Sequence, residues 1–208
     1  MFSKLKLSLG RINYKLFLAL LVLGLAPTVY TTVRVFFLGQ LPGEWSFSIA
    51  GQLSWVNLIY EIINEAIILP LFYFIGKVKD DKSAFSNRVR TGMLLSLGIY
   101  AILSAVIMIF AEPLLNLMAT DTSIIEASAS YIRIESIANV FAILAQFALV
   151  ALITVNKSKY LYALTGARFV LCLVLDTFLV STLPLSANLG VNGIGYSNII
   201  VNALLLVV

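Results

Sequence analysis

Histidine is absent from the sequence, and cysteine occurs once, at Cys172. Without histidine the chain lacks the commonest metal ligand and the side chain that most readily moves protons near neutrality. A single cysteine allows no disulfide within the chain and no C-x-x-C redox or metal motif. Charge is scarce as well: Asp, Glu, Lys and Arg make up 12% of residues, about half their share in soluble domains. No compact set of nucleophile, base and acid remains, so the sequence does not read as an enzyme, and no cofactor is expected. The net charge of +4 does not point to nucleic acid, because the basic residues flank apolar runs and form no patch interleaved with aromatics.

What is present in excess is apolar sequence, at 61% of residues with a mean hydropathy of +1.00. A helix needs roughly 20 apolar residues to cross a bilayer core about 30 Å thick, and runs of that order recur along the chain. The expected fold is an all-α, polytopic six-helix membrane bundle. Its spans are Leu16–Leu38, Ser48–Ile75, Thr91–Phe110, Tyr131–Val155, Tyr160–Leu183 and Val191–Val208. Residues 1–15, with Lys4, Lys6, Arg11 and Lys15 among apolar side chains, read as a basic amphipathic arm at the membrane surface, and 16–208 as the lobe. Breaker signals separate the spans: Gly39 to Gly43, Gly76 to Asn87, Glu112-Pro113, Asn156 to Lys159, and Pro184 to Gly190.

Basic residues set the orientation. They lie in the arm, in the second loop (Lys77, Lys79, Lys82, Arg88, Arg90) and in the fourth (Lys157, Lys159). The alternate loops hold only Glu44, Glu112, Asp121 and Glu126. The N-terminus is therefore expected in the cytoplasm, with the chain in a plasma membrane of the bacterial inner-membrane kind. The Asn156-Lys157-Ser158 sequon then faces inward and stays unmodified. The last span ends on Leu204 to Val208 with no polar flank, so the sequence is expected to continue beyond it.

Polar groups inside apolar spans are costly and tend to be functional. In span 2, Ser54, Asn57, Glu61 and Asn64 or Glu65 share one helical face. Glu61 and Glu65, one turn apart, suit reversible protonation or cation binding, unless a basic neighbour neutralises them. In span 4, Arg133 and Glu135 read as interfacial groups that snorkel. Asn139 and Gln146 lie deeper, as cavity lining or as hydrogen-bonded glue between helices. In span 5, Arg168, Cys172 and Asp176 recur every four residues. Asp176 is expected to pair with Arg34 of span 1, as a static lock or as a gate, and Cys172 to pack as a small residue. Asn198 and Asn202 add a polar face to span 6, whose opening glycines (Gly190, Gly193, Gly195) point to close helix packing. Pro27 and Pro70 interrupt spans 1 and 2 and free carbonyls at membrane depth. These stripes are expected to converge on an interior, either a bonded core or a wet cavity.

Three stretches, in order and spacing, resemble the N-terminal lobe of the multidrug and toxic compound extrusion (MATE) family. Tyr131-Ile132-Arg133-Ile134, followed by an apolar span and Thr154-Val155-Asn156-Lys157-Ser158-Lys159, resembles the family's fourth helix and its basic loop. Leu173-Val174-Leu175-Asp176 resembles the end of the fifth, and Leu189-Gly190-Val191-Asn192-Gly193-Ile194-Gly195 the start of the sixth. The resemblance implies one of two six-helix lobes around a cleft, exporting organic cations or drugs in exchange for Na⁺ or H⁺, with a second lobe as partner. It also implies that Arg34 stands where many members have an acid, and Cys172 where many have Asn, which leaves Asp176 of the usual cation site. Coupling is then expected at Asp176 with Glu61 and Glu65. Arg34, Asn57, Asn64, Asn139, Gln146, Arg168, Asn198 and Asn202 are expected to line or gate a cavity. Flippases of lipid-linked saccharides share the superfamily fold and imply a cavity rich in fixed positive charge. A non-transporting scaffold module is the remaining alternative, in which every buried acid is neutralised by a partner.

Overall fold

A computed structural model of the chain describes residues 14–41, 46–118, 120–155 and 158–207. The basic arm up to Asn13, the loop residues Pro42 to Trp45, and Asn156 and Lys157 of the basic loop and sequon lie outside the described residues. Six helices follow in order: α1 (Tyr14–Gln40), α2 (Ser46–Gly76), α3 (Lys82–Leu117), α4 (Ile125–Thr154), α5 (Ser158–Leu179) and α6 (Asn192–Val207). Among the described residues, four stretches are long and apolar enough to cross a membrane, Ser48–Gly76, Lys82–Leu117, Ile125–Thr154 and Tyr162–Leu179. The 16 residues of α6 rise about 24 Å at 1.5 Å each, somewhat short of a hydrocarbon core.

The expected helices form, but their boundaries move: α3 begins at Lys82 rather than Thr91 and α4 at Ile125 rather than Tyr131. Glu112-Pro113 does not end the third helix, which runs on to Leu117 with Pro113 inside it. A proline costs its helix one backbone bond. Here the last turn is held by Leu115, which is fully buried, and by Asn116, whose amide donates to the Glu112 carbonyl at 2.9 Å. The fifth helix ends at Leu179 rather than Leu183 because the following loop takes its carbonyls: Ala187 N donates to Phe178 O at 2.7 Å and Leu189 N to Leu179 O at 2.9 Å. Asn188 and Gly190 adopt φ of 49° and 60° in that turn, and glycine enters this region at no steric cost.

At the α2–α3 corner, Asp81 caps α3 by accepting from Ser83 N at 2.9 Å and Ala84 N at 3.0 Å. Arg88 donates to the Phe74 carbonyl at 2.7 Å and lies 4.7 Å above the Phe74 ring, closing the end of α2. In the α3–α4 loop, Asp121 accepts from the Ser123 amide at 2.8 Å and its hydroxyl at 2.7 Å. The amide first, and then the hydroxyl, hold this exposed carboxylate below its ordinary range.

The bundle is organised around α4, which packs on α3, α6, α2 and α5, while α1 lies against α5 and α2. On α3 the buried face is Gly92, Ser96, Tyr100, Ser104, Ile107, Ala111 and Leu115, a heptad-like row in which small residues let the helix axes approach. Phe147 of α4, fully buried, fills the gap left by Gly92: a Cβ there would lie 2.5 Å from the Phe147 ring tip. One buried polar thread ties α2, α3 and α4 together. Ser104 Oγ donates to the Ser136 carbonyl at 2.9 Å, so its single proton is committed and the Tyr60 hydroxyl, 2.8 Å away, must donate to it. Tyr100 donates to the Tyr60 carbonyl at 3.0 Å. Tyr60→Phe keeps the ring packing and removes one donor. It is expected to cost about 0.5–1.5 kcal/mol of stability, measured by thermal unfolding in detergent.

Candidate functional site

α1 and α5 end where α4 and α6 begin. Near that end of the bundle, opposite the basic loops, four side chains from four helices form a continuous relay. Arg34 of α1 holds Asp176 of α5 in a bidentate grip, Nε to Oδ2 at 2.8 Å and Nη2 to Oδ1 at 3.1 Å. The same Nη2 donates to Asn198 Oδ1 of α6 at 3.1 Å, and Asn198 Nδ2 donates to Glu135 Oε1 of α4 at 2.7 Å. Only one orientation of the asparagine amide serves both ends, because the guanidinium can only donate and the carboxylate accepts. The side chains of Arg34 and Asp176 are 15% and 2% exposed. Tyr30 lies under the guanidinium at 5.8 Å from its ring centre, and the buried Tyr131, one turn before Glu135, is within electrostatic reach of Glu135, Arg34 and Asp176.

A fixed guanidinium thus stands between two carboxylates. Arg34 neutralises Asp176 directly and reaches Glu135 through a neutral amide. Planar bidentate pairing gives the Arg34–Asp176 bond both strength and direction.

The structure brings Arg34, Asp176 and Asn198 of the expected site together, and the Arg34–Asp176 pair forms. Glu135 joins them instead of snorkelling at an interface, as its position in the sequence implied. Its neighbour Arg133 does lie at the surface, paired with Glu112 at 2.8 Å. The two residues are two apart on α4 and so point about 200° from each other, one outward to Glu112 and one into the relay. The signal available in the sequence was the step of four from Tyr131 to Glu135 to Asn139, which shares a face with buried Ser128 and Ala138 rather than with Arg133.

The polar stripe of α2 does not join the relay. Ser54, Asn57, Glu61 and Glu65 are all exposed, on the side opposite Leu53, Val56, Tyr60 and Ile67, which enter the core. Asn64 is half-buried with its Oδ1 lacking a partner. Asn139 (Nδ2) and Asn202 (Oδ1) also carry buried atoms without hydrogen bonds, whereas Gln146 is exposed.

Arg168, two turns before Asp176, serves a different place. Its half-buried side chain has an Nε without a hydrogen bond and borders a cavity of about 1010 Å³ at the basic end of the bundle. Lys79, Lys82, Phe85, Tyr160 and Phe169 are among the lining residues, and among the described residues no Asp or Glu lines it. No cluster of three or more His, Cys, Asp or Glu side chains that could hold a metal ion occurs among the described residues.

An all-α bundle of long apolar helices with a buried charge relay defines a polytopic membrane protein. A MatE family profile matches residues 74–178, about half of the chain, and the chain belongs to that family of membrane transporters. The crystal structure of a MATE in complex with MaD3S superposes on 91% of the chain with a TM-score of 0.76 at 17% sequence identity. The chain spans 42% of the length of that protein. No curated protein shows detectable sequence similarity.

Proposed function

We propose that the chain forms one lobe of an alternating-access secondary transporter, with all six helices crossing the bilayer and a second six-helix lobe completing the cleft. The observation that carries the reading is Asp176, an almost fully buried carboxylate tied to α1 by Arg34 in a family of transporters. A coupling ion drives transport by binding one conformation more tightly than the other. Na⁺ or H⁺ does so here by competing for carboxylates, at Asp176 and at Glu61 and Glu65. The exposed α2 stripe, with Asn57, suits a face turned toward the second lobe and the cleft. The basic loops orient the N-terminus to the cytoplasm of a bacterial inner membrane.

For the cargo, the family resemblance favours organic cations and drugs leaving the cell. One observation favours a second reading: the cavity at the basic end presents Lys79, Lys82 and Arg168 among apolar and aromatic walls with no acid among the described residues. That lining complements the phosphate of a lipid-linked saccharide, as a flippase requires.

The test is flux in liposomes containing the full-length protein, with a cationic dye in one series and a fluorescent lipid-linked saccharide in the other. Asp176→Asn is expected to lower ion-driven flux about 5- to 150-fold, the range of ordinary coupling free energies, and Glu61→Gln to lower it less. Unchanged flux in both variants removes these residues from the coupling site. Absence of flux for every solute points to the scaffold module instead.

A further inference from the structure

The relay contains two carboxylates and one guanidinium. Arg34 makes a bidentate pair with Asp176 and reaches Glu135 only through Asn198. With both acids ionised, the cluster therefore carries one uncompensated negative charge, and the geometry locates it at Glu135. Glu135 is 8% exposed; its Oε1 accepts one bond, from Asn198, and its Oε2 has no partner. A carboxylate has about four lone-pair sites, and a buried one with a single neutral donor is poorly paid for its lost hydration.

The groups facing it come from every neighbouring helix: Arg34 of α1, Tyr60 of α2, Tyr131 on α4 itself, Asp176 of α5 and Asn198 of α6. From α3, Ser104 contributes indirectly by accepting the Tyr60 proton. Arg34 is the one fixed cation in that set, and it is engaged by Asp176.

We infer that Glu135 is a proton-binding site, with the proton carried on Oε2, and that it is a further coupling carboxyl group of this lobe, beside Asp176. Its coupling role rests on the transporter reading above. A proton fits where a metal ion does not. Oε2 lies against Gly195, where an added Cβ would be 3.5 Å from it and only 2.6 Å from Ile134 Cγ2. That side is closed by backbone and a methyl group rather than by oxygen ligands, and Asn198 Oδ1 is already used by Arg34. Hard cations need several oxygens around them. Balance is simple: a proton from water adds to a carboxylate oxygen and one buried charge disappears.

Loss of the proton changes the pull on Arg34. With Glu135 neutral, the guanidinium belongs to Asp176 and ties α1 to α5. With Glu135 ionised, two carboxylates on α4 and α5 compete for the same cation through the Asn198 amide, which weakens the α1–α5 tie and strengthens the hold of α4 and α6. One proton thus biases two arrangements of four helices.

The experiment is infrared difference spectroscopy of the purified full-length protein between alkaline and acidic pH, reading the carbonyl stretch of protonated carboxyl groups. Wild type is expected to show a component that Glu135→Gln removes and Asp176→Asn retains; Glu135→Asp, which keeps an acid, displaces it in frequency and serves if Glu135→Gln fails to fold. A spectrum unchanged by both Glu135 variants overturns the assignment. Loss of the component when Na⁺ replaces choline at constant pH overturns it in favour of a shared metal-ion site. Flux separates the two layers of the claim. A Glu135-dependent band without transport of any solute leaves the proton site standing and defeats the transporter reading. Proton-driven flux whose pH profile is the same in Glu135→Gln defeats the coupling role.

Discussion

Arg34→Ala is expected to destabilise the full-length protein by about 3–5 kcal/mol, the usual result of removing one partner from a buried ion pair. The cost comes less from the lost contacts than from what stays behind: Asp176, 2% exposed, would be left buried with no cation against it. Asn198 would lose its donor too, and with it the fixed orientation that serves Glu135. Asp176→Asn should be milder, since a neutral amide can still accept from the guanidinium and the remaining charge sits on the more exposed partner. The apolar pair Arg34→Met with Asp176→Leu should recover most of the stability while abolishing ion-driven flux, because two charges leave the interior together. Thermal unfolding in detergent across wild type, the singles and a double-mutant cycle measures these terms. If Arg34→Ala unfolds at the wild-type temperature, the pair does not bear on stability.

The second large effect is expected at Gly193. A methyl group there would lie 2.7 Å from the Leu179 carbonyl oxygen and 3.0 Å from its carbon. Backbone cannot turn aside as a side chain can, and the carbonyl is pinned by Leu189 N at 2.9 Å. Gly193→Ala should therefore push the start of α6 off the end of α5 and cost about 1–3 kcal/mol, as overpacking does. The relay lies one turn further along α6, so the displacement should also lower ion-driven flux. Gly98→Ala is the control: it meets no atom within 4 Å and should leave the unfolding temperature close to that of wild type.

The positions of the helices were legible from local chemistry. Apolar runs must become helices in a bilayer, where every backbone group has to be bonded within its own segment, and breaker residues mark where the runs stop. Pro113 misled because the energy of a last helical turn depends on what it packs against, and Leu115 and the Asn116 amide outweigh the one bond that proline removes. The pairing of Arg34 with Asp176 was legible for a similar reason: opposite charges at matching depth in two spans have few other ways to be neutralised.

Periodicity places residues on a common helical face but leaves open the direction of that face. The α2 stripe of Asn57, Glu61 and Glu65 and the α4 row through Glu135 look alike as sequences, yet one lies on the outside of the lobe and the other at its centre. The rotation of each helix about its axis is set by packing, here by the small residues Gly92, Ser96 and Ser104 that draw α3 onto α4, and by Gly193 and Gly195 that draw α6 onto α5 and α4. By itself, then, the sequence determined a membrane bundle, the order of its helices and its scarce charges, because hydropathy and charge act segment by segment. Only the tertiary structure decided that Glu135 shares one arginine with Asp176, because that depends on close approaches between residues far apart in the chain.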